Sequence, residues 1–289
     1  MAILKPILGL MRCGDWGQKL TPKALVELLA AAVDLGIDTL DLADIYGNHS
    51  TNALLGDAFV ISPELRQKFK LVAKIGIVLP TSMGNKRGIQ YYDLSPEHLQ
   101  KALDETRRAL NVEKLDTLML HRFDALMKPA ETSDWLNQQR NLGSFASFAV
   151  SNFDAHALPV FDGLQAICAN QIELSLQQSS ALTNGTHIAT LARGATVQAW
   201  SPLGGGELLA TNTAAAARIQ PILSEICAEL ELDAASALLR WVASVPSTQI
   251  VVGSTRADRL RDAVAACATP LPHDAWYALW EAARGFAVP

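Results

Sequence analysis

Thr39-Leu-Asp41-Leu-Ala-Asp-Ile-Tyr46-Gly47 runs from an apolar strand pattern into a turn ended by glycine, and sets an acid, Asp41, five residues before a phenol, Tyr46. Packing asks for neither residue type there. A carboxylate at a strand end and a tyrosine just past it can converge on one pocket, provided that other strands end at the same rim. The rest of the chain repeats this grammar. Ile7–Leu10 reads as a first strand ending at Met11-Arg12, and Thr39–Asp41 as the second. Leu71–Lys74, Leu115–Leu120, Phe145–Val150, Ala166–Gln171, Val197–Trp200 and Ile250–Val252 read as six more.

Helical patterns separate these strands. Thr21-Pro22 supplies an N-cap and a proline at the first helical position. Leu25, Leu28, Leu29, Ala32 and Val33 follow at helical spacing, and Gly36 closes the helix. Ser50-Thr51 starts a short helix, Ser95-Pro96 opens one that runs to Leu110, and another lies between Pro129 and Arg140. A helical region spans Ala215–Ser244 with a break near Leu232-Asp233, and two further helices begin near Ala257 and Asp274. Gly76–Asp93 is a long turn-rich segment. Apolar runs without strict alternation suit parallel strands buried on both faces. Eight strand–helix alternations, with no Gly-x-Gly-x-x-Gly after the first strand, predict an α/β fold: a (β/α)8 TIM barrel, one domain over residues 1–289.

Composition narrows the function classes. Apolar residues make up 49% and charged residues 18% of the chain, the balance of an ordinary globular protein. A net charge of −5 argues against a nucleic-acid partner. No apolar run is long enough for a membrane span, and Met1-Ala-Ile-Leu-Lys-Pro6 lacks a signal-peptide pattern. The four cysteines, Cys13, Cys168, Cys227 and Cys267, show no Cys-x-x-Cys spacing, so reduced thiols in a cytoplasmic protein are expected. The six histidines form no His-x-x-x-His cluster, so no metal site is expected. No heptad or apolar surface stripe is evident, which predicts a monomer.

In such a barrel, active sites lie at the C-terminal ends of the strands. Those ends read Met11-Arg12, Asp41, Lys74, His121, Ser151-Asn152, Gln171, Trp200 and Gly253-Ser254, and most are polar. Tyr46 reads as a proton donor. A free tyrosine has a pKa of about 10, and the Lys74 ammonium on the neighbouring strand is expected to lower it. Asp41 can hold Lys74 charged, and His121 can hydrogen-bond a carbonyl oxygen beside Tyr46. The second acid of the motif, Asp44, reads as a loop or helix-start residue without chemistry. Proton donation needs a partner reagent, and a hydride donor fits. Ser151, Asn152 and Gln171 offer groups suited to a nicotinamide carboxamide, and Trp200 offers a flat face for the ring. The loop Ser201-Pro-Leu203-Gly204-Gly205-Gly206 can bring backbone N–H groups close to a pyrophosphate. Gly253-Ser254-Thr255 opens a helix, a natural phosphate site.

The motifs at residues 41–47, Lys74, Leu115–Arg122, Val150–Phe153, Gln171–Glu173, Ala199–Gly204 and Gly253–Thr255 together resemble those of the aldo-keto reductases, over essentially the whole chain and most like bacterial members of the general-oxidoreductase type. The resemblance implies a catalytic tetrad of Asp41, Tyr46, Lys74 and His121, with NADP(H) extended across the barrel mouth and hydride passing to a small-molecule carbonyl substrate. It implies cofactor contacts at Met11, Arg12, Ser151, Asn152, Gln171, Trp200, Ser201, Leu203, Gly204, Gly205, Gly253, Ser254, Thr255, Arg256 and Arg259. Ser254 and Arg259 match the family's contacts to the adenosine 2′-phosphate, which favours NADPH over NADH. Gly253 stands where many members have lysine, so that phosphate contact falls to Arg256. Asp262 and Ala263 replace the acid and amide that hold the adenine, and Gly143–Ala149 departs from the usual basic pattern before Ser151. Gly285–Pro289 follows the last helix, so the long C-terminal loop of some members is not expected here, and the 76–93 segment and Trp16 are the expected pocket walls. Two other readings stand beside carbonyl reduction. One is a lyase using Lys74 as a Schiff base, which pairing with Asp41 disfavours. The other is a cofactor-binding regulatory protein of the same fold with little turnover.

Overall fold

The computed structural model describes residues 4–163, 165–210 and 213–287, so the last two residues of the C-terminal tail, Val288 and Pro289, lie outside it. The strands are β1 (Ile7–Gly9), β2 (Thr39–Ala43), β3 (Lys70–Ile75), β4 (Ile77–Val78), β5 (Tyr91–Tyr92), β6 (Leu115–Leu120), β7 (Phe145–Ser151), β8 (Ile167–Glu173), β9 (Thr196–Trp200) and β10 (Thr248–Val252). Eight of them close into a barrel in the order β1-β10-β9-β8-β7-β6-β3-β2. Every pairing in it is parallel. This is the expected (β/α)8 TIM barrel. The pair β4–β5 is an antiparallel hairpin outside it, inside the segment read from sequence as turn-rich.

Helices cover the barrel: α1 (Pro22–Asp34), α2 (Thr51–Ile61), α3 (Pro63–Arg66), α4 (Pro96–Leu110), α5 (Pro129–Asn141), α6 (Thr186–Ala192), α7 (Ala214–Glu229), α8 (Ala234–Ala243), α9 (Ala257–Cys267) and α10 (His273–Arg284). Their starts follow local chemistry. The hydroxyls of Thr21 and Ser95 accept the N–H groups of Ala24 and His98, with proline next in each case. Asp233, at the break in the long helical region, caps α8 through the Ser236 N–H at 2.9 Å.

The period of two along each strand divides the residues between two environments. Leu40, Leu42, Leu71, Ala73, Ile75, Leu118, Leu120, Phe148 and Val150 face outward into a core shared with the helices. Val72, Met119, Ala149 and Ala169 make a separate cluster inside the barrel. Adding two to each inward position gives Lys74, His121, Ser151 and Gln171. The polar site is therefore the next interior layer above a small apolar plug. One correction follows for the sequence reading. Asp41, Lys74 and Gln171 are not strand-terminal: β2 continues to Ala43, β3 to Ile75 and β8 to Glu173.

A second core lies between α7, α8, α10 and β10. Trp241 and Trp276 stack there with centroids 4.7 Å apart. Each indole N–H donates to the other residue's carbonyl, at 3.0 and 2.9 Å, so neither buried donor is left unpaired.

Candidate active site

Lys74 is fully buried and ion-paired to Oδ1 of Asp41. The same Oδ1 accepts the Gln171 side-chain amide at 2.7 Å. That amide also donates to Gln198 Oε1 at 3.1 Å. Tyr46 donates its hydroxyl to Asp41 Oδ2 at 3.5 Å, a long bond. The Lys74 Nζ sits 5.0 Å from the Tyr46 ring centroid. His121 follows β6 and meets Tyr46 edge to face, centroids 6.1 Å apart. The four residues of the expected tetrad thus meet at one end of the barrel.

Burial sets their protonation. Burial, with the field of Asp41 added, raises the Tyr46 phenol well above its ordinary value. The expected lowering by Lys74 is therefore outweighed: the ammonium is already spent on Asp41, and both sit in a water-poor site. Burial also lowers the Lys74 ammonium, with Asp41 opposing. His121 is pushed well below its usual range by burial, then by Lys74 and Arg122. Its imidazole is neutral at neutral pH, and Nδ1 is sealed from solvent without a partner.

The other rim residues form a linked set. Ser151 donates to the Gln171 backbone carbonyl at 2.9 Å, Asn152 donates to the Ser151 hydroxyl at 2.7 Å, and the Trp200 indole donates to the Asn152 side-chain Oδ1 at 3.1 Å. Asn152 takes a left-handed backbone, φ 57°, which asparagine tolerates. Gln171 is drawn inward, its amide nitrogen committed to Asp41 rather than aimed at the mouth. Gln198, two residues before Trp200 on the same face of β9, escaped the sequence reading. Its signal was that spacing. Trp16 lies edge-on to Tyr46 at 6.1 Å. Ile77 and Leu79, at the base of the β4–β5 hairpin, pack with Tyr46, Ile45 and Ala43. The hairpin is clasped from the other side, where His49 Nε2 meets Ser82 Oγ at 3.1 Å. Both expected pocket walls thus touch the Tyr46 loop.

The phosphate-type features lie at the same end. Ser201, half-buried, has φ 50°, and Leu203 packs partly on the second core. Gly204, Gly205 and Gly206 all have positive φ. Space around the last two is open, so a ligand backbone can approach closely. Gly253 is also open, Ser254 and Thr255 are half-buried, and α9 begins at Ala257 without a side-chain cap from Arg256. Arg259 is exposed and makes no ion pair among the described residues. Arg256 instead forms a two-pronged pair with Asp258, so it must leave that partner to act as the replacement phosphate contact. Met11 and Arg12 are exposed just past β1. Ala263 is fully buried in α9 and faces the core rather than any ligand. Among the described residues, no group of three or more His, Cys, Asp or Glu is placed to hold a metal, and no helix is long and apolar enough to cross a membrane.

Comparison with known proteins shows the family of the chain. The model of the aldo/keto reductase family matches residues 6–284. The oxidoreductase YcsN of Bacillus subtilis is 30% identical, covering 97% of this chain and 94% of its own length. A 6-dehydroglucose reductase of Agrobacterium fabrum is 29% identical, covering 96% and 94%. Among solved structures, an aldo/keto reductase of Klebsiella pneumoniae, in complex with NADP and acetate, superposes with a TM-score of 0.77 at 19% identity, over 99% of this chain and 93% of that one. The family match runs from just before the first barrel strand to the end of the last helix, and on that ground the chain belongs to the aldo/keto reductase family of oxidoreductases.

Proposed function

We propose that the protein reduces carbonyl groups of small molecules, taking hydride from NADPH and a proton from Tyr46. The observation that carries this reading is the buried Asp41–Lys74 pair set beside a neutral phenol and a neutral imidazole. The donor set suits a dinucleotide: the amide and hydroxyl of Asn152 and Ser151 beside Trp200, the open glycines after β9, and the α9 start with Arg259. The family relative from Klebsiella holds NADP, which supports the choice. When bound, the nicotinamide supplies the hydride.

The chain's own residues do the rest. His121 donates a hydrogen bond to the carbonyl oxygen without carrying a charge. Tyr46 gives that oxygen its proton. A raised phenol pKa is compatible with this step, because an alkoxide formed after hydride addition is far more basic than any phenolate, and the raised value keeps the proton in place until then. Lys74 stabilises the phenolate left behind, and Asp41 with Gln171 keeps Lys74 fixed. A Schiff-base role for Lys74 is disfavoured by the same pairing. Carbonyls on sugar carbons belong in the first substrate panel, given the 6-dehydroglucose reductase relatives.

Tyr46→Phe tests the proton-donor role. Turnover on an aldehyde panel should fall by roughly 100- to 10,000-fold, the usual worth of a general acid, while NADPH affinity stays within about threefold of the parent on the same scale. Equal loss of both would remove the role. Tight NADPH binding with no turnover by the parent protein on any carbonyl would favour the regulatory reading.

A further inference from the structure

Arg122 follows His121 directly and is half-buried at the barrel mouth. Its Nη1 donates to the His121 carbonyl at 3.0 Å, and Cζ lies 5.8 Å from the Trp200 ring centroid. Those two contacts hold the flat guanidinium in place but use little of its donor capacity, since a guanidinium carries five N–H groups. Among the described residues no carboxylate lies within ion-pair distance of it. The family motif that drew attention to this segment used His121 and left Arg122 without a role.

Charge bookkeeping around it is uneven. Asp41 and Lys74 neutralise each other in contact. His121 is uncharged. Glu173 extends the inward face of β8 two residues past Gln171 and feels Arg122, but it stays beyond ion-pair distance and its carboxyl is raised by burial. A held, half-desolvated guanidinium with spare donors is where an incoming planar anion gains most, through parallel charge-assisted bonds.

We propose that Arg122 determines specificity by receiving a carboxylate carried on the substrate, so that the preferred substrates are aldehydo- or keto-acids. This rests on the carbonyl-reduction reading above. The chemistry balances without change to the acid: hydride from NADPH goes to the carbonyl carbon, the Tyr46 proton goes to the carbonyl oxygen, and the carboxylate leaves as it came.

The test compares 4-oxobutanoate with its methyl ester, which removes that charge and adds one methyl group, in the parent protein and in Arg122→Gln and Arg122→Lys. The parent should favour the acid in kcat/KM by about tenfold to a hundredfold, the range for a hydrogen bond to a charged group. Arg122→Gln should collapse that ratio to near one, mainly through KM, and Arg122→Lys should restore part of it as a point charge. Any loss that Arg122→Gln causes through His121 or Tyr46 falls on acid and ester alike and cancels in the ratio. Reduction of the ester without preference for the acid, or a preference that survives Arg122→Gln, overturns the proposal and leaves carbonyl reduction standing. Where neither compound is turned over, the comparison moves from rate to binding. Calorimetric binding of succinate against its monomethyl ester, to the protein loaded with NADP, then decides the role of Arg122. Preference for the dianion that disappears in Arg122→Gln supports it, and equal binding sinks it.

Discussion

Asp44 sits two residues before Tyr46, and its environment is unlike that of its neighbour Asp41. Its N–H donates to the Lys74 carbonyl at 3.0 Å, its own carbonyl accepts from His49, and Oδ1 is sealed from solvent without a partner. Burial, with repulsion from Glu105 behind it, raises its carboxyl to about 8. A group raised on folding lends its full stability below its unfolded value, near 3.8, and loses that contribution as pH climbs to about 8. Asparagine copies the protonated acid, so Asp44→Asn should match the parent near pH 4 and gain on it steadily up to pH 8. Urea midpoints of the two proteins across that range would show the divergence, and parallel curves would refute it. At the other end of the site, Arg259→Ala should weaken NADPH by about tenfold or more, as expected for a lost charge-assisted bond, and leave NADH little changed. Titration of both cofactors checks this, and an equal effect on the two would remove the 2′-phosphate assignment. Neither the raised phenol nor the buried Asp44 was legible in the sequence, since both depend on what the fold stacks over them. The four candidate positions stood out in the sequence because Asp41 and Lys74 interrupt apolar strands, His121 directly follows one and Tyr46 lies in the turn after another.

Helix packing shows the same limit at the scale of elements. Gly56 lies inside α2, where alanine would normally be better by about 1 kcal/mol. An added Cβ there would stand 2.1 Å from the Ala109 carbonyl of α4, a backbone atom that cannot swing away. Overpacking of this kind costs about 1–3 kcal/mol, so the clash outweighs the propensity. Gly56→Ala should lower the urea midpoint without changing the slope; a rise in the midpoint would mean that the helices separate freely. The capped helix starts at Thr21 and Ser95 were readable because a cap is settled within four residues, and Asp233 showed as a break in the helical pattern. The β4–β5 hairpin was not. Its strands are two residues each, Tyr91 and Tyr92 are exposed, and its place is set by packing of Ile77 and Leu79 on the Tyr46 loop. The contact between Gly56 and Ala109, far apart in sequence, leaves no local trace either.

The whole molecule keeps its two tasks on alternate residues. Outward positions of the strands build the helix-facing core, and inward positions build first the plug of Val72, Met119, Ala149 and Ala169 and then the chemistry. The barrel class was readable because eight apolar runs recur with helices between them; the layer beneath the site was not, because closure alone decides which face is inside. One consequence concerns errors of phase rather than of identity. Substituting one letter in β3 disturbs one environment. Deleting one letter between Lys70 and Lys74 exchanges them: the lysine would turn toward the helices, and an aliphatic residue would fill its berth beside Asp41. Two interleaved messages written on one strand tolerate misspelling far better than they tolerate a slipped frame.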